Sequence, residues 1–281
     1  MKTIALATDN SHSLPLRLKQ AAVGLSIAVT TVGALVLIGW ALDIILLKQV
    51  MAGLPTMKPN TALCFLLSGA ALLLLNKEDV KDWRRHLAVG CAAVVVLIAL
   101  MTLAEYLFKL NLGFDELMFR EGLNPIATSH PGRMGIHTAF NFLFAGLALL
   151  LLDAKSPPKQ WIGQTTALAV MLVGLLVLIG YLYGAAFFQH IFSHTSMALH
   201  TALTFIALGL GLLAARPQQG LMTLATSAGA GGVMLRRLLP TSIIILVGIG
   251  WLCLVGERAG LYDTPLGTAL HISFGIVVFT L

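Results

Sequence analysis

One apolar pattern occurs four times in this chain, and it limits what the chain can fold into more than any other feature. Residues 57–75 read MKPNTALCFLLSGAALLLL, residues 134–152 MGIHTAFNFLFAGLALLLL and residues 197–215 MALHTALTFIALGLGLLAA. A degenerate copy, TPLGTALHISFGIVVFTL, closes the chain at 264–281. With the first residue of each copy as position zero, Thr falls at +4 and Ala at +5 in all four, and Phe at +8, Gly at +12 and Leu at +15 recur in the first three. A pattern repeated at this length marks one supersecondary unit that completes its packing only beside its own copies.

The repeats are too apolar for water. Hydrophobic residues make up 58% of the chain and charged ones 11%, with a mean hydropathy of +0.90. Apolar runs long enough to be membrane-span candidates lie near 20–47, 59–75, 86–108, 134–152, 161–187, 197–214, 238–256 and 264–281. Lipid offers no partner to backbone polar groups, so each must be a helix. The expectation is an all-α integral membrane protein of eight transmembrane helices, arranged as four pseudo-repeated helical hairpins at about 20–75, 86–152, 161–215 and 236–281. A polar segment, 1–19, precedes them and lacks the short apolar core of a signal peptide. The first helix of each hairpin ends in an aromatic: IGW at 38–40, AEY at 104–106, IGY at 179–181 and IGW at 249–251. Aromatics there are expected at the headgroup level. The second helix carries the repeat, and a central cluster of parallel second helices ringed by the first ones is the expected arrangement.

Basic residues set the orientation. With the N-terminus inside, Lys2, Arg17, Lys19, Lys77, Lys81, Arg84, Arg85, Lys155, Lys159, Arg216, Arg236 and Arg237 are cytoplasmic, against Lys48, Lys58, Lys109, Arg120, Arg133 and Arg258 outside. That imbalance puts both termini in the cytoplasm of a multi-pass membrane protein. The net charge of +6 is thereby a topology signal and calls for no nucleic acid. Cys64, Cys91 and Cys253 lie in separate spans without metal-site spacing. The glycine-rich stretch 227–232 has neither the Lys-Ser/Thr ending nor the preceding strand of a phosphate loop, and reads as a linker.

Residues four apart share a helix face. Positions 0, +4, +8 and +12 (Met, Thr, Phe, Gly) form a seam suited to close helix contact. Positions +3, +7 and +11 form a polar stripe: Asn60, Cys64 and Ser68; His137, Asn141 and Ala145; His200, Thr204 and Leu208; Gly267, His271 and Gly275. Polar groups are costly against lipid, so this stripe is expected to face the bundle interior and to gather His137, His200 and His271 around it. Two readings follow. Haem b can take axial imidazoles from His137, His200 or His271, in a slot shaped by Phe142 and Phe205 with Met134, Met197, Asn141 and Thr204 around it. Alternatively, the histidines hydrogen-bond between helices or sense protons. His190 and His194, spaced i, i+4, are a weaker candidate pair for copper or zinc. Asp43 or Glu105 can pair with Arg133 or Arg258, and the loop 109–133 is either a small folded cap or a solvated linker.

Three stretches resemble a known family: Arg133-Met134 followed by TAxxF and a leucine run; MALHTAL at 197–203 leading to AARP at 214–217; and RRLLP at 236–240 with GW at 250–251 and GERAGLYDT at 256–264. Together they resemble the multi-spanning N-terminal input modules of PAS-containing bacterial sensor histidine kinases and diguanylate cyclases. The resemblance implies a sensory role, a homodimer, and a cytoplasmic kinase or cyclase domain after residue 281 that acts on a response regulator. It supplies no agreed ligand; a haem so placed would report redox state or a diatomic gas. No catalytic motif lies within the chain itself. The competing functions are a sensor of a small molecule or metal ion without haem, a transporter, and an electron-transfer cytochrome.

Overall fold

The computed structural model describes residues 2–51, 53–76, 82–119, 130–184 and 197–280. These residues form ten helices and no strand: α1 Lys2–Ala41, α2 Ile45–Lys48, α3 Pro59–Leu75, α4 Asp82–Phe108, α5 Ile136–Leu151, α6 Pro157–Leu182, α7 Leu199–Ala215, α8 Met222–Thr226, α9 Ala230–Arg258 and α10 Thr264–Thr280. Residues Leu14–Ala41 of α1, together with α4, α6 and α9, are long and apolar enough to cross a membrane; α3, α5, α7 and α10 are shorter apolar helices. Long and short helices alternate, as the repeat implies. The polar segment 1–19 does not stand apart: α1 runs through it and past Pro15 without interruption. The glycine-rich stretch is likewise no linker, because Ala230, Gly231 and Gly232 open α9.

Each of the first three repeats is an antiparallel hairpin of a long helix and a short one: α1 with α3, α4 with α5, and α6 with α7. The small residues of the pattern bring their backbones together. A Cβ added to Gly33 would meet Ala62 O and Leu66 N at 2.6 Å, and one added to Gly174 would meet Ala202 O at 2.8 Å. The matching position of the second hairpin is Ala99, itself fully buried. One turn deeper, Gly69 faces Thr30 and Ser26, Gly146 faces Val96, and Gly209 faces Met171 and Ala167. The Gly at +12 is thus the contact between a short helix and the long helix of its own hairpin. In lipid such close approach is a main source of helix association, since burial against a neighbour gains little over burial against acyl chains.

The three short helices touch one another around a common axis, and each long helix lies on its own short helix and on that of the preceding repeat: α4 on α3, α6 on α5, and α1 on α7. The result is a pseudo-threefold bundle. Its centre is a triangle of Phe65, Phe142 and Phe205, all fully buried, with ring centroids 4.8, 4.7 and 4.7 Å apart. Thr61, Thr138 and Thr201 lie one turn to one side of it, and Leu72, Leu149 and Leu212 two turns to the other, all buried. A central cluster of parallel short helices ringed by long ones is thus present, built from three hairpins.

The fourth hairpin stands outside. Helices α9 and α10 pack chiefly on each other, and α9 also on α8. The sequence carries the cause: where the core repeats have Phe at +8 and Gly at +12, the fourth has Ile272 and Ile276, which are 57% and 61% exposed. Without the aromatic for the axis and the glycine for the seam, the copy keeps its helices and loses its place in the ring.

Candidate functional site

The ends of the bundle carry most of its buried polar chemistry. We call the end at which α3, α5 and α7 begin the upper end, and the other the lower.

At the upper end each long helix closes with an aromatic whose polar atom is used on the next helix. Trp40 Nε1 donates to Met57 O at 2.9 Å, Tyr106 Oη to Met134 O at 3.0 Å, and Tyr181 Oη to Met197 O at 2.7 Å. The acceptor is position zero of the repeat each time, so the aromatic and the Met form one device used three times. These aromatics were expected as headgroup anchors; each also spends its polar atom on a part-buried bond that fixes the register of its hairpin. Trp251, the fourth such aromatic, is 48% exposed.

Between the first and second hairpins lies an ionic cluster. Arg133 Nε stands 2.7 Å from Asp115 Oδ2 and 3.1 Å from Glu105 Oε2, with side-chain exposures of 3%, 5% and 0%. Glu105 Oε1 accepts from Leu112 N at 2.8 Å, Asp115 Oδ1 from Asn60 Nδ2 at 3.3 Å, and Leu110 O from Arg133 Nη2 at 3.3 Å. The guanidinium also sits 5.5 Å from the centre of the Tyr106 ring. The pairing of Glu105 with Arg133 is among those the sequence suggested. Asp115 and Asn60 were not foreseen: Asp115 lies in a loop with no motif, and Asn60 was read as a stripe residue. The cluster ties the loop after α4 to the starts of α3 and α5. Two carboxylates share one guanidinium, and removing one partner of such a buried group strands the others at a cost of several kcal/mol. Asp43 pairs elsewhere, with Lys48, whose hydrogen bond holds the Asp43 carboxyl below its ordinary range.

The lower end has a counterpart. Arg216, of the AARP stretch, donates from Nη2 to Leu75 O at 2.8 Å and to Asp153 Oδ1 at 2.5 Å, and from Nη1 to Ala215 O at 2.9 Å. One guanidinium thus gathers the C-terminal ends of α3, α5 and α7, where exposed carbonyls and the helix dipoles favour a cation. Gln164 of α6 extends the cluster, donating to Arg216 O at 3.1 Å and accepting from Met222 N at 2.8 Å.

The histidines do not share an interior. In the second repeat the stripe at +3, +7 and +11 meets the long helix of the next hairpin, and in the fourth it meets its own long helix. Asn141 Nδ2, one turn below His137, donates to Val170 O of α6 at 3.2 Å. On the same face of α7 as His200, a Cβ on Gly211 would meet Leu72 of α3 at 3.0 Å and Leu25 of α1 at 3.4 Å. His137 and His200 keep the same register but belong to different seams. Thr204 Oγ1 bonds back to His200 O at 2.6 Å, within α7, and neither ring nitrogen of His200 has a hydrogen-bond partner. His271 is in the outlying hairpin: a Cβ on Gly250 of α9 would lie 2.9 Å from its Cε1. Phe142 and Phe205 do not flank a slot but close the axis together with Phe65. Met134 and Met197 are buried behind their bonded carbonyls. The donor set does not fit a haem held by two of these imidazoles at the axis, because close-packed rings fill that position. Among the described residues no group of three or more His, Cys, Asp or Glu could hold a metal ion; His190 and His194 lie outside the described residues.

No family model, curated protein or solved structure compared with this chain matches it.

Proposed function

We propose that this chain is the membrane-embedded sensory input module of a bacterial signal-transduction protein, with eight spans in four hairpins, both termini cytoplasmic and the upper end outside the inner membrane. One observation carries the reading: ionic clusters tie the core hairpins, the first two at the upper end and all three at the lower, while the fourth hairpin meets the core chiefly through Tyr183. The Arg133–Glu105–Asp115 cluster joins an external loop to the core helices, and Arg216 joins the same helices at the opposite end. A stimulus that alters the upper cluster acts on rigid helices with defined far ends. Outside this ring, α9 and α10 pack chiefly on each other, so a second position costs few core contacts and would pass the change to a kinase or cyclase domain, its response regulator and a second copy of the chain. The resemblance supplies the output class; the asymmetry supplies the moving part. Haem b is no part of the proposal, given the filled axis.

The test is a distance measured across the molecule. Spin labels at Arg237, near the start of α9, and at Asp153, after α5, report how the fourth hairpin sits against the core at the lower end. Since Asp153 holds Arg216, the label pair is repeated with Lys155 in its place. Glu105→Gln and Asp115→Asn, which disturb only the upper end, are expected to shift the population of lower-end distances. Unchanged distance distributions in both variants would refute the reading. Ion flux through the reconstituted protein in lipid vesicles would favour a transporter.

A further inference from the structure

We infer that the cleft between α6 and α9 is a binding site for a phospholipid of the leaflet at the upper end, with one acyl chain in the cleft and the phosphate on Arg258. Where the fourth hairpin fails to join the ring, it leaves a cavity of about 370 Å³ lined by Leu175, Leu178, Ile179 and Leu182 of α6 and by Ile243, Ile244, Val247, Gly248 and Trp251 of α9. Its volume lies within the range of built ligand sites, yet no lining side chain carries a charge. Such a cleft between two helices long enough to span a bilayer is filled from the bilayer, since water would find too few partners in it. The cleft occupies the upper half of both helices, because Leu182 ends α6 and Trp251 lies two turns below the end of α9.

The upper lip gives the occupant its head. Ile244, Trp251 and Arg258 are spaced by seven residues and share one face of α9, so Arg258 continues the stripe that lines the cleft. At 1.5 Å per residue its Cα stands about 10 Å above that of Trp251, the separation of a headgroup from the upper chain segments. Arg258 Nη2 donates to Tyr183 O at 2.7 Å, at the end of α6 next to Leu182. This bond spans the cleft mouth and leaves the rest of an exposed guanidinium pointing to the headgroup layer. A planar fork of donors there matches a phosphate diester. Deeper down, Tyr183 also bonds α9, its hydroxyl donating to Val247 O at 3.0 Å. Gly248 has nothing within 4 Å of an added Cβ: space at this position belongs to the occupant and not to a packed neighbour.

The test uses the whole chain in lipid nanodiscs, with phosphatidylglycerol carrying a diazirine midway along one acyl chain and, separately, diacylglycerol with the same chain. Adducts after illumination are mapped by peptide sequencing. On the phospholipid, adducts are expected to concentrate on 175–182 and 243–251 over the open face of α4 at Leu97 and Leu100. Gly248→Phe, which fills the cleft, brings them to the α4 level; Leu178→Trp does so from the other wall should Gly248→Phe fold poorly. Arg258→Gln lowers phosphatidylglycerol labelling about fivefold, as loss of one interfacial cation predicts, and leaves diacylglycerol labelling unchanged. Adduct density equal to that of α4, labelling that survives both filling variants, equal labelling by the two probes in the unmodified chain, or recovery of a quinone in place of phospholipid would each overturn the assignment.

Discussion

The glycine at +12 is the same residue in three repeats, yet the structure gives it three different neighbours, and the cost of Gly→Ala should follow the neighbour. At Gly209 a new methyl would meet Met171 Cβ at 2.7 Å, Met171 N at 2.8 Å and Ala167 O at 2.9 Å. At Gly69 it would meet the Thr30 hydroxyl, Thr30 N at 2.7 Å and Ser26 O at 2.9 Å. Both obstacles include helix backbone, which yields only if α6 or α1 moves outward as a body. At Gly146 the close neighbour is one methyl of Val96, with the nearest backbone atom, Ala92 O, at 3.3 Å. Overpacking typically costs about 1–3 kcal/mol, while Gly→Ala within a helix regains roughly 0.5–1 kcal/mol. Gly69→Ala and Gly209→Ala are therefore expected to lose about 2 kcal/mol, and Gly146→Ala no more than about 1 kcal/mol. Gly90→Ala, where nothing lies within 4 Å of the new Cβ, should gain stability. Tryptophan fluorescence during unfolding in mixed detergent micelles reads all four. Val96→Ala should rescue Gly146→Ala in a double-mutant cycle, whereas Thr30→Ala should not rescue Gly69→Ala, since the backbone obstacles remain. Equal losses at the three glycines, or the largest loss at Gly146, would refute the account of the seams.

Other expectations are checked on the same footing. Arg133→Met leaves two buried carboxylates without their cation and should cost about 3–5 kcal/mol in the same unfolding assay; adding Glu105→Gln should restore part of it. Tyr106→Phe and Tyr181→Phe each lose one bond to a Met carbonyl and should cost about 0.6–1 kcal/mol apiece, with no change in helix content by circular dichroism. Gly250→Ala sets a methyl against the Tyr183 hydroxyl and His271, so it should shift Trp251 emission as α9 moves, and Tyr183→Phe should partly reverse that shift. The Asp43–Lys48 pair favours the charged carboxyl, so its contribution is present above the ordinary carboxyl value and is lost only as pH falls through the lowered one. Asp43 is 90% exposed, so the difference in thermal midpoint between wild type and Asp43→Asn should be small and constant from about pH 5 to 8.

Much of the fold was legible because lipid simplifies the problem: apolar runs must be helices, and a pattern repeated at fixed register must pack in a repeated way. Thr61, Phe65 and Gly69 and their counterparts were recognised as one seam, and they meet neighbouring helices as expected. The pattern alone did not reveal which neighbour each face meets. Phe at +8 and the polar residue at +7 point in directions only a helical turn's fraction apart, one toward the axis and one toward the next hairpin. That rotation of about 100° separates histidines converging on the axis from histidines in the seams between hairpins. Expulsion of the fourth hairpin was visible in Ile272 and Ile276, though its consequence needed the ring to be seen. The end clusters were the hardest to read, because Asp115, Asp153 and Leu75 O lie in loops or on backbone and join residues distant in sequence.

The ring also dictates an order of assembly. Helix α1 packs on α7 as well as on α3, and Arg216 reaches back to the carbonyl of Leu75. The first hairpin made by the ribosome therefore waits for the third before one of its two long flanks is covered. A chain halted after α5 has inserted helices and no closed axis, with Phe65 and Phe142 lacking their third ring. The axis closes only when α7 arrives, and the fourth hairpin adds nothing to that closure.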